Sequence, residues 1–378
     1  MKVTAWSQSG LAWALTLALV VGCPPGAAAQ PPLPRESVEV TRLVVDARVV
    51  DDDGHAVAGL DANDFTVRIA DRPVRVESAQ WIGGAEPRRP LLSSTRLGGV
   101  VDAGVRGRLL MVVVQKSLER DRLAGLLRVL QHCGRLLDAV TPQDRVAVLS
   151  FDSHLKIWLD FTDDLDRVRT VLGDEVMFRE PGPLAHVDGV SLVAGLSRDA
   201  GRATDTIEDA LARLGRALEP LPGAKSVVLI GYGFGEMTVT LGVVGSRQDR
   251  RYVESRDALQ AARAAVFSLD VTDVDYHSFE HGLATVSSET GGLFVRTRNR
   301  VGRAVTEVAD ALVGHDVLFT EVPELEPGVH PVEGAWSAGR ARSSRVRRIP
   351  VDGCLTALRR AGYEIETTVQ QDTAVAGP

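Results

Sequence analysis

Residues 109–114 read Leu-Leu-Met-Val-Val-Val, an unbroken apolar run that stops abruptly at Gln115-Lys116-Ser117. A strand-length run of this kind, rich in Val and polar on neither side, is a strand buried on both faces, and such strands belong to parallel sheets covered by helices. Leu123, Leu126, Leu127, Leu130, Cys133, Leu137 and Val140 then recur at spacings of three and four, which places them on one helical face. The two segments form a βα unit whose turn falls at Gln115 to Glu119. In open α/β sheets ligands bind at the carboxyl ends of strands, so this turn is the first place to seek function.

The pattern repeats along the chain. Asp144-Arg145 lead into a buried strand, VAVLSF, and Lys156 to Trp158 form a brief edge strand. Thr162 can cap a helix through Leu172, and Thr206 opens another through Leu218. Ser226 to Ile230 is a buried strand that ends at Gly231-Tyr232-Gly233. Helix 252–265, strand 265–271, a short helix near Leu283, strand 293–295 and helix 301–313 follow. Strands separated by helix-length patterns signify an α/β fold, a doubly wound and mostly parallel sheet with helices on both faces.

Both flanks differ in kind. Residues 1–29 read as a signal peptide, with Lys2, an apolar core from Leu11 to Val21, and small residues Ala27 to Ala29 before Gln30. The expectation is an exported protein, periplasmic or extracellular. The apolar stretch falls short of the roughly 20 residues of a membrane span. Val20-Val21-Gly22-Cys23 also fits a lipoprotein box that would place a lipid anchor on Cys23, though Pro24 suits that processing poorly and cleavage before Gln30 is preferred.

Residues 30–37 form a Pro-rich spacer and 38–83 a β segment broken by Asp/Gly/Pro turns. Residues 84–104 are a linker, 105–314 the α/β domain, 315–352 a second β segment and 353–378 a tail. Neither β segment has enough strands to bury a core alone. The two are therefore expected to pair into one small β-sandwich, with the α/β domain inserted between them.

The net charge of -7, with both signs interspersed, provides no positive field for nucleic acid. Beyond the signal only Cys133 and Cys354 remain, and Cys133 on an apolar helical face reads as a buried thiol.

Val45-Asp46, Asp53-Gly54, Val57, Gly59-Leu60 and Asp64-Phe65-Thr66-Val67, with Thr141 to Val148 and Phe161 to Asp164 further on, resemble the bacterial exported proteins related to von Willebrand factor A domains. The resemblance spans roughly residues 38 to 340. It implies a protein-binding face at the carboxyl end of the sheet and, in the family, a metal-ion-dependent adhesion site. That site uses Asp-x-Ser-x-Ser after the first strand, a Thr ahead of an Asp-Ala-Leu helix, and Ser-Asp-Gly after the fourth strand.

This chain departs at nearly every ligand. The first motif reads Gln115-Lys116-Ser117-Leu118-Glu119, Asp205 stands at the Thr place before Asp209-Ala210-Leu211, and Tyr232 takes the Asp place. Mg²⁺ needs hard oxygen ligands in near-octahedral geometry, so a degenerate site without cofactor is expected, Glu119 and Asp205 being the two residues that could rebuild a different oxygen cluster. The function implied is an exported, non-enzymatic interaction module with a protein partner.

The alternative is a zinc hydrolase. His277-Ser278-Phe279-Glu280-His281 matches H-x-x-E-H, in which two His on one helical face hold zinc and Glu activates water. Its surroundings are an Asp-rich loop, where a long helix would be needed. Asp270, Asp273 and Asp275 lack the glycine of a calcium loop, Gly231 to Gly235 lack the last glycine of a dinucleotide fingerprint, and no G-x-S-x-G elbow occurs. The basic run from Arg340 to Arg348 reads as a solvated strand face.

Overall fold

A computed structural model describes residues 42–49, 55–83, 107–184, 189–197, 201–240, 243–247, 250–274, 277–321, 331–336 and 349–352. The signal, Cys23, the spacer, linker 84–104, the 340–348 basic run, Asp275, Cys354 and the tail lie outside these residues.

Four strands open the described chain: β1 (Arg42–Ala47), β2 (Phe65–Ile69), β3 (Arg72–Val74) and β4 (Val76–Gly83). In β2 Phe65, Val67 and Ile69 are buried and the residues between them exposed, the period-two signature of a strand with one dry face. The chain then enters β5 (Leu109–Gln115), all seven residues of which are buried. Its side chains alternate between two cores: Leu110, Val112 and Val114 face one, and Leu109, Met111 and Val113 the other.

The first core is covered by α1 (Arg120–His132), α2 (Gly134–Leu137), α3 (Leu165–Thr170) and a helix near the end of the domain. Between them lie strands β6 (Arg145–Phe151) and β7 (Leu155–Thr162). The single helix expected through Val140 breaks at Cys133, ahead of Gly134, a residue of low helix propensity. The buried stripe nevertheless runs on through Cys133, Leu136 and Leu137. Asp164, and not Thr162, caps α3, its Oδ1 accepting from Arg167 N–H at 2.9 Å. Thr162 instead accepts from Asp164 N–H at 3.1 Å. That helix ends at Thr170 and runs into a wide turn, Val171–Glu175.

Helix α4 (Ile207–Leu218) leads to β8 (Lys225–Gly231), and a hairpin that the sequence reading did not anticipate follows, β9 (Glu236–Thr240) with β10 (Val243–Arg247). Next come α5 (Arg250–Ala261), β11 (Ala264–Asp270), α6 (Glu280–Glu289), β12 (Phe294–Arg296) and α7 (Val301–Ala311). Helix α7 completes the first core, and α4, α5 and α6 cover the second.

The central sheet has six strands in the order β12-β11-β8-β5-β6-β7. Every pairing is parallel except that of β7 with β6. Chain order reverses between β5 and β8, the switch point of a doubly wound sheet.

Strands from the two ends of the chain meet in two antiparallel sheets. Strand β13 (Gly314–Glu321) lies between β1 and β4, and β14 (Pro331–Trp336) lies between β2 and β15 (Ile349–Asp352). Leu43, Val45, Phe65, Val67, Ile69, Leu318 and Val332 form one small core drawn from both sheets and both chain ends.

Buried and half-buried charges join this part to the amino end of the central sheet. Arg263 donates to Asp46 at 3.0 Å, and Arg48 lies 5.1 Å over the Phe267 ring. Arg108 pairs with Asp144 at 2.6 Å and donates to the Val313 carbonyl at 2.9 Å, just ahead of β13.

Candidate functional site

Strands β5, β8 and β11 end side by side at Gln115, Gly231 and Asp270. At the switch point the Gln115 side chain reaches across from β5 to the turn after β8. Its Nε2 donates to the Gly233 carbonyl at 2.9 Å, and its Oε1 accepts from the backbone N–H of Tyr232 at 3.1 Å and of Gly233 at 3.2 Å. Gln115 is 2% exposed, so the amide satisfies both of its polar ends inside protein. The bridge demands glycine at 231, where a Cβ would lie 2.4 Å from Gln115 Oε1. Gly233, at φ +97°, sits so close to α6 that a Cβ would fall 2.1 Å from the Phe279 carbonyl oxygen.

The other residues of the turn point away from the crevice or into local bonds. Ser117 Oγ accepts from Glu119 N–H at 3.2 Å, a turn bond. Lys116 turns toward β6 and β7, pairing with Asp152 at 3.5 Å and lying 6.0 Å over the Trp158 ring. Burial would raise the Asp152 carboxyl, but hydrogen bonds from Ser153 N–H and from Lys156 outweigh it and hold the group well below the usual carboxylate range. Glu119 pairs with Arg122 at 3.1 Å, and the Arg122 guanidinium stacks 4.0 Å over the Tyr232 ring. Burial raises the Tyr232 hydroxyl and keeps it protonated.

Asp205 is exposed. Its neighbour Thr204 is fully buried, accepting from Leu155 N–H at 2.9 Å, and Thr206 caps α4 through Asp209 N–H at 3.2 Å. Glu119 and Asp205 thus enter no group of three metal-ligating side chains among the described residues.

The one such group found there is Asp270, His277 and Glu280, whose ligand atoms lie within 4.8 Å of one another. His277 Nε2 stands 2.9 Å from Asp270 Oδ2, and Arg296 grips both oxygens of Glu280 at 2.8 and 2.7 Å. The structure does not bring His281 to them. Helix α6 begins only at Glu280, so His277 lies outside it, and His281, a step of about 100° round the axis, is exposed. The spacing of H-x-x-E-H hid this, because it presumes one continuous helix through both His. Asp270 carried a readable signal all the same: a carboxylate closing an apolar parallel strand sits where such sheets place their sites.

No protein-family model matches this chain, and no curated protein matches it. Among solved structures, an aerotolerance-related membrane protein from Bacteroides fragilis NCTC 9343 is similar at a TM-score of 0.37 and 13% identity, over 55% of this chain and 98% of that one. The conserved hypothetical protein BatB from Bacteroides thetaiotaomicron follows at 0.36 and 16%, over 54% and 98%. An uncharacterized membrane spanning protein from Vibrio fischeri stands at 0.19 and 16%, over 52% and 94%. None of the described helices is long and apolar enough to cross a membrane.

Proposed function

We propose that the chain is an exported, non-enzymatic interaction module of the von Willebrand factor A-like kind. In this reading it binds a protein partner on the carboxyl face of its six-stranded sheet, with no divalent ion at the switch point. The observation that carries the proposal is Gln115. Where a sheet of this strand order admits small ligands, a neutral amide bridges β5 to the turn after β8 and uses both of its polar ends in doing so. A carboxylate at that place would attract a cation, and the amide, already bonded, has no such call.

What the face offers a partner is its surface. Leu118 is 87% exposed at the turn that leads into α1, and Val274 is 37% exposed beyond β11. The Arg122–Tyr232 stack adds two residue types that concentrate binding energy at protein interfaces. Burying a leucine side chain from water yields roughly 1.5–3 kcal/mol, enough to make Leu118 a testable anchor. The hydrolase alternative has less support, since His281 is exposed and Glu280 is held by Arg296.

The test is capture of a partner from the cell-envelope fraction by immobilised protein, in buffers with and without Mg²⁺. The same partner should be retained in both buffers and lost at least tenfold with Leu118→Glu. Capture that requires Mg²⁺, or that survives Leu118→Glu, overturns the proposal.

A further inference from the structure

The geometry points to a zinc-class metal site at the carboxyl end of β11, held by Asp270, His277 and Glu280. It lies one strand beyond the switch point and omits His281. Three atoms no more than 4.8 Å apart lie within about 2.8 Å of a common point, against ~2.0–2.2 Å for zinc to imidazole nitrogen or carboxylate oxygen, so shifts of well under an ångström close the shell. One imidazole with two carboxylates suits zinc and its transition-metal neighbours better than Mg²⁺, which demands an octahedron of oxygens and keeps its waters.

The surroundings favour an ion over a purely internal network. Asp270 and Glu280 are 2% and 5% exposed, so two carboxylates stand almost dry within one group, with Arg296 the cation set against Glu280. The Arg296 side chain is itself more than half exposed, so solvent lies beside it to take the guanidinium if the ion displaces it. His277, with 15% of its side chain exposed, is the least buried of the three. Thr272 supplies an independent sign. Its N–H donates to Asp270 Oδ1 at 3.0 Å, yet its hydroxyl, on a residue 8% exposed, has no hydrogen-bond partner. A metal-bound water on this turn would provide one, and a buried polar atom left unpaired is costly.

The ion would take the place of the hydrogen bond between His277 Nε2 and Asp270 Oδ2: the ring presents Nε2 to the metal with a proton on Nδ1, and the proton of that hydrogen bond passes to Nδ1 or to solvent. Arg296 then competes with the ion for Glu280, whether it moves or only lends its charge. The ion would tie the end of β11 to α6, and Arg296 on β12 would replace part of its charge when it is absent.

The experiment is titration of ZnCl₂ into chelator-stripped full-length protein by calorimetry, with MgCl₂ as control and thermal melting as a check on folding. One equivalent of zinc should bind and raise the melting temperature, and millimolar Mg²⁺ should do neither. Affinity should fall at least tenfold in Asp270→Asn and in His277→Ala, stay within twofold in His281→Ala, and rise several-fold in Arg296→Ala. Arg296→Ala keeps every ligand, so it remains informative if the ligand variants misfold. Absence of stoichiometric zinc, dependence on His281, or weaker binding in Arg296→Ala would each overturn the inference. These readouts are independent of partner capture, so the metal site and the docking face can fail separately.

Discussion

At the scale of single residues, two positions have consequences opposite to those of local rules. Gly125 lies inside α1, where replacing Gly by Ala ordinarily stabilises by up to ~1 kcal/mol. Here a Cβ would lie 1.7 Å from the Val271 carbonyl oxygen, because the helix packs directly on the backbone that leaves β11. Gly125→Ala should therefore destabilise, and a urea midpoint at or above that of the wild type would refute the close packing. Gln115 is polar at the end of an apolar strand, where Leu would match its neighbours. Gln115→Leu removes partners from Tyr232 N–H, Gly233 N–H and the Gly233 carbonyl. At about 1–3 kcal/mol for a buried group left unpaired, we expect a loss of at least ~2 kcal/mol in denaturant unfolding. An unchanged midpoint would mean that the amide bridge does not form. The polarity of Gln115 was legible in the sequence, but its purpose was not, since both partners lie more than a hundred residues away.

At the scale of elements, local signals explain most of what forms. The apolar runs of β5, β8 and β11 are wholly buried, as their lack of alternation requires. Thr206 ahead of Asp209 marks the start of α4, and its hydroxyl accepts the Asp209 N–H. Thr206→Ala should cost about 1 kcal/mol, read from the shift in urea midpoint, whereas Thr162→Ala, outside the cap of α3, should cost less than half as much. Equal losses would show that the capping roles are misassigned. Where the element reading erred, a neighbour decided. The sequence reading placed the cap of α3 at Thr162, but Thr162, Asp163 and Asp164 are all cap-competent and only the fold selects Asp164. The β9–β10 hairpin interrupts the crossing from β8 to α5, and Glu236-Met237-Thr238-Val239-Thr240 does alternate polar and apolar, a period-two signal short enough to pass for part of a crossover.

At the scale of the whole molecule, buried charges make stability depend on pH in two opposed ways. Burial would raise the Asp46 carboxyl, but Arg263 and His315 beside it hold it well below the usual carboxylate range. A depressed folded pKa gives stability that is present above about pH 4 and lost as pH falls through the folded value. Asp316, on β13, has the opposite sign. Both of its oxygens are buried without a partner, and burial, with Asp64 adding its charge, pushes its carboxyl up to about 7. Its contribution is full below about pH 4 and is lost as pH rises through about 7. Asp316→Asn removes the second limb and leaves the first. The variant should therefore melt progressively higher than the wild type as pH rises from about 4 to 8, with the two converging in acid. A difference that does not change with pH would rule out titration of Asp316.

The sequence by itself determined most of the strands and helices of the α/β domain and their order, the β9–β10 hairpin and the break at Cys133 excepted. It also indicated that the central strands are buried on both faces and placed further strands at both chain ends. These are local properties, set by periods of two and 3.6 residues and by caps and turns within a few positions. The tertiary structure alone decided what fills the site. It laid Gln115 against Gly233, 118 residues away, set Arg122 on Tyr232, and drew Asp270, His277 and Glu280 together while leaving His281 in solvent. It also chose β13 as the strand that joins β1 to β4. Sequence spacing constrains neighbours only along one helix or one strand. Contacts between elements follow from how two buried faces pack, and that is settled only when the sheet is assembled.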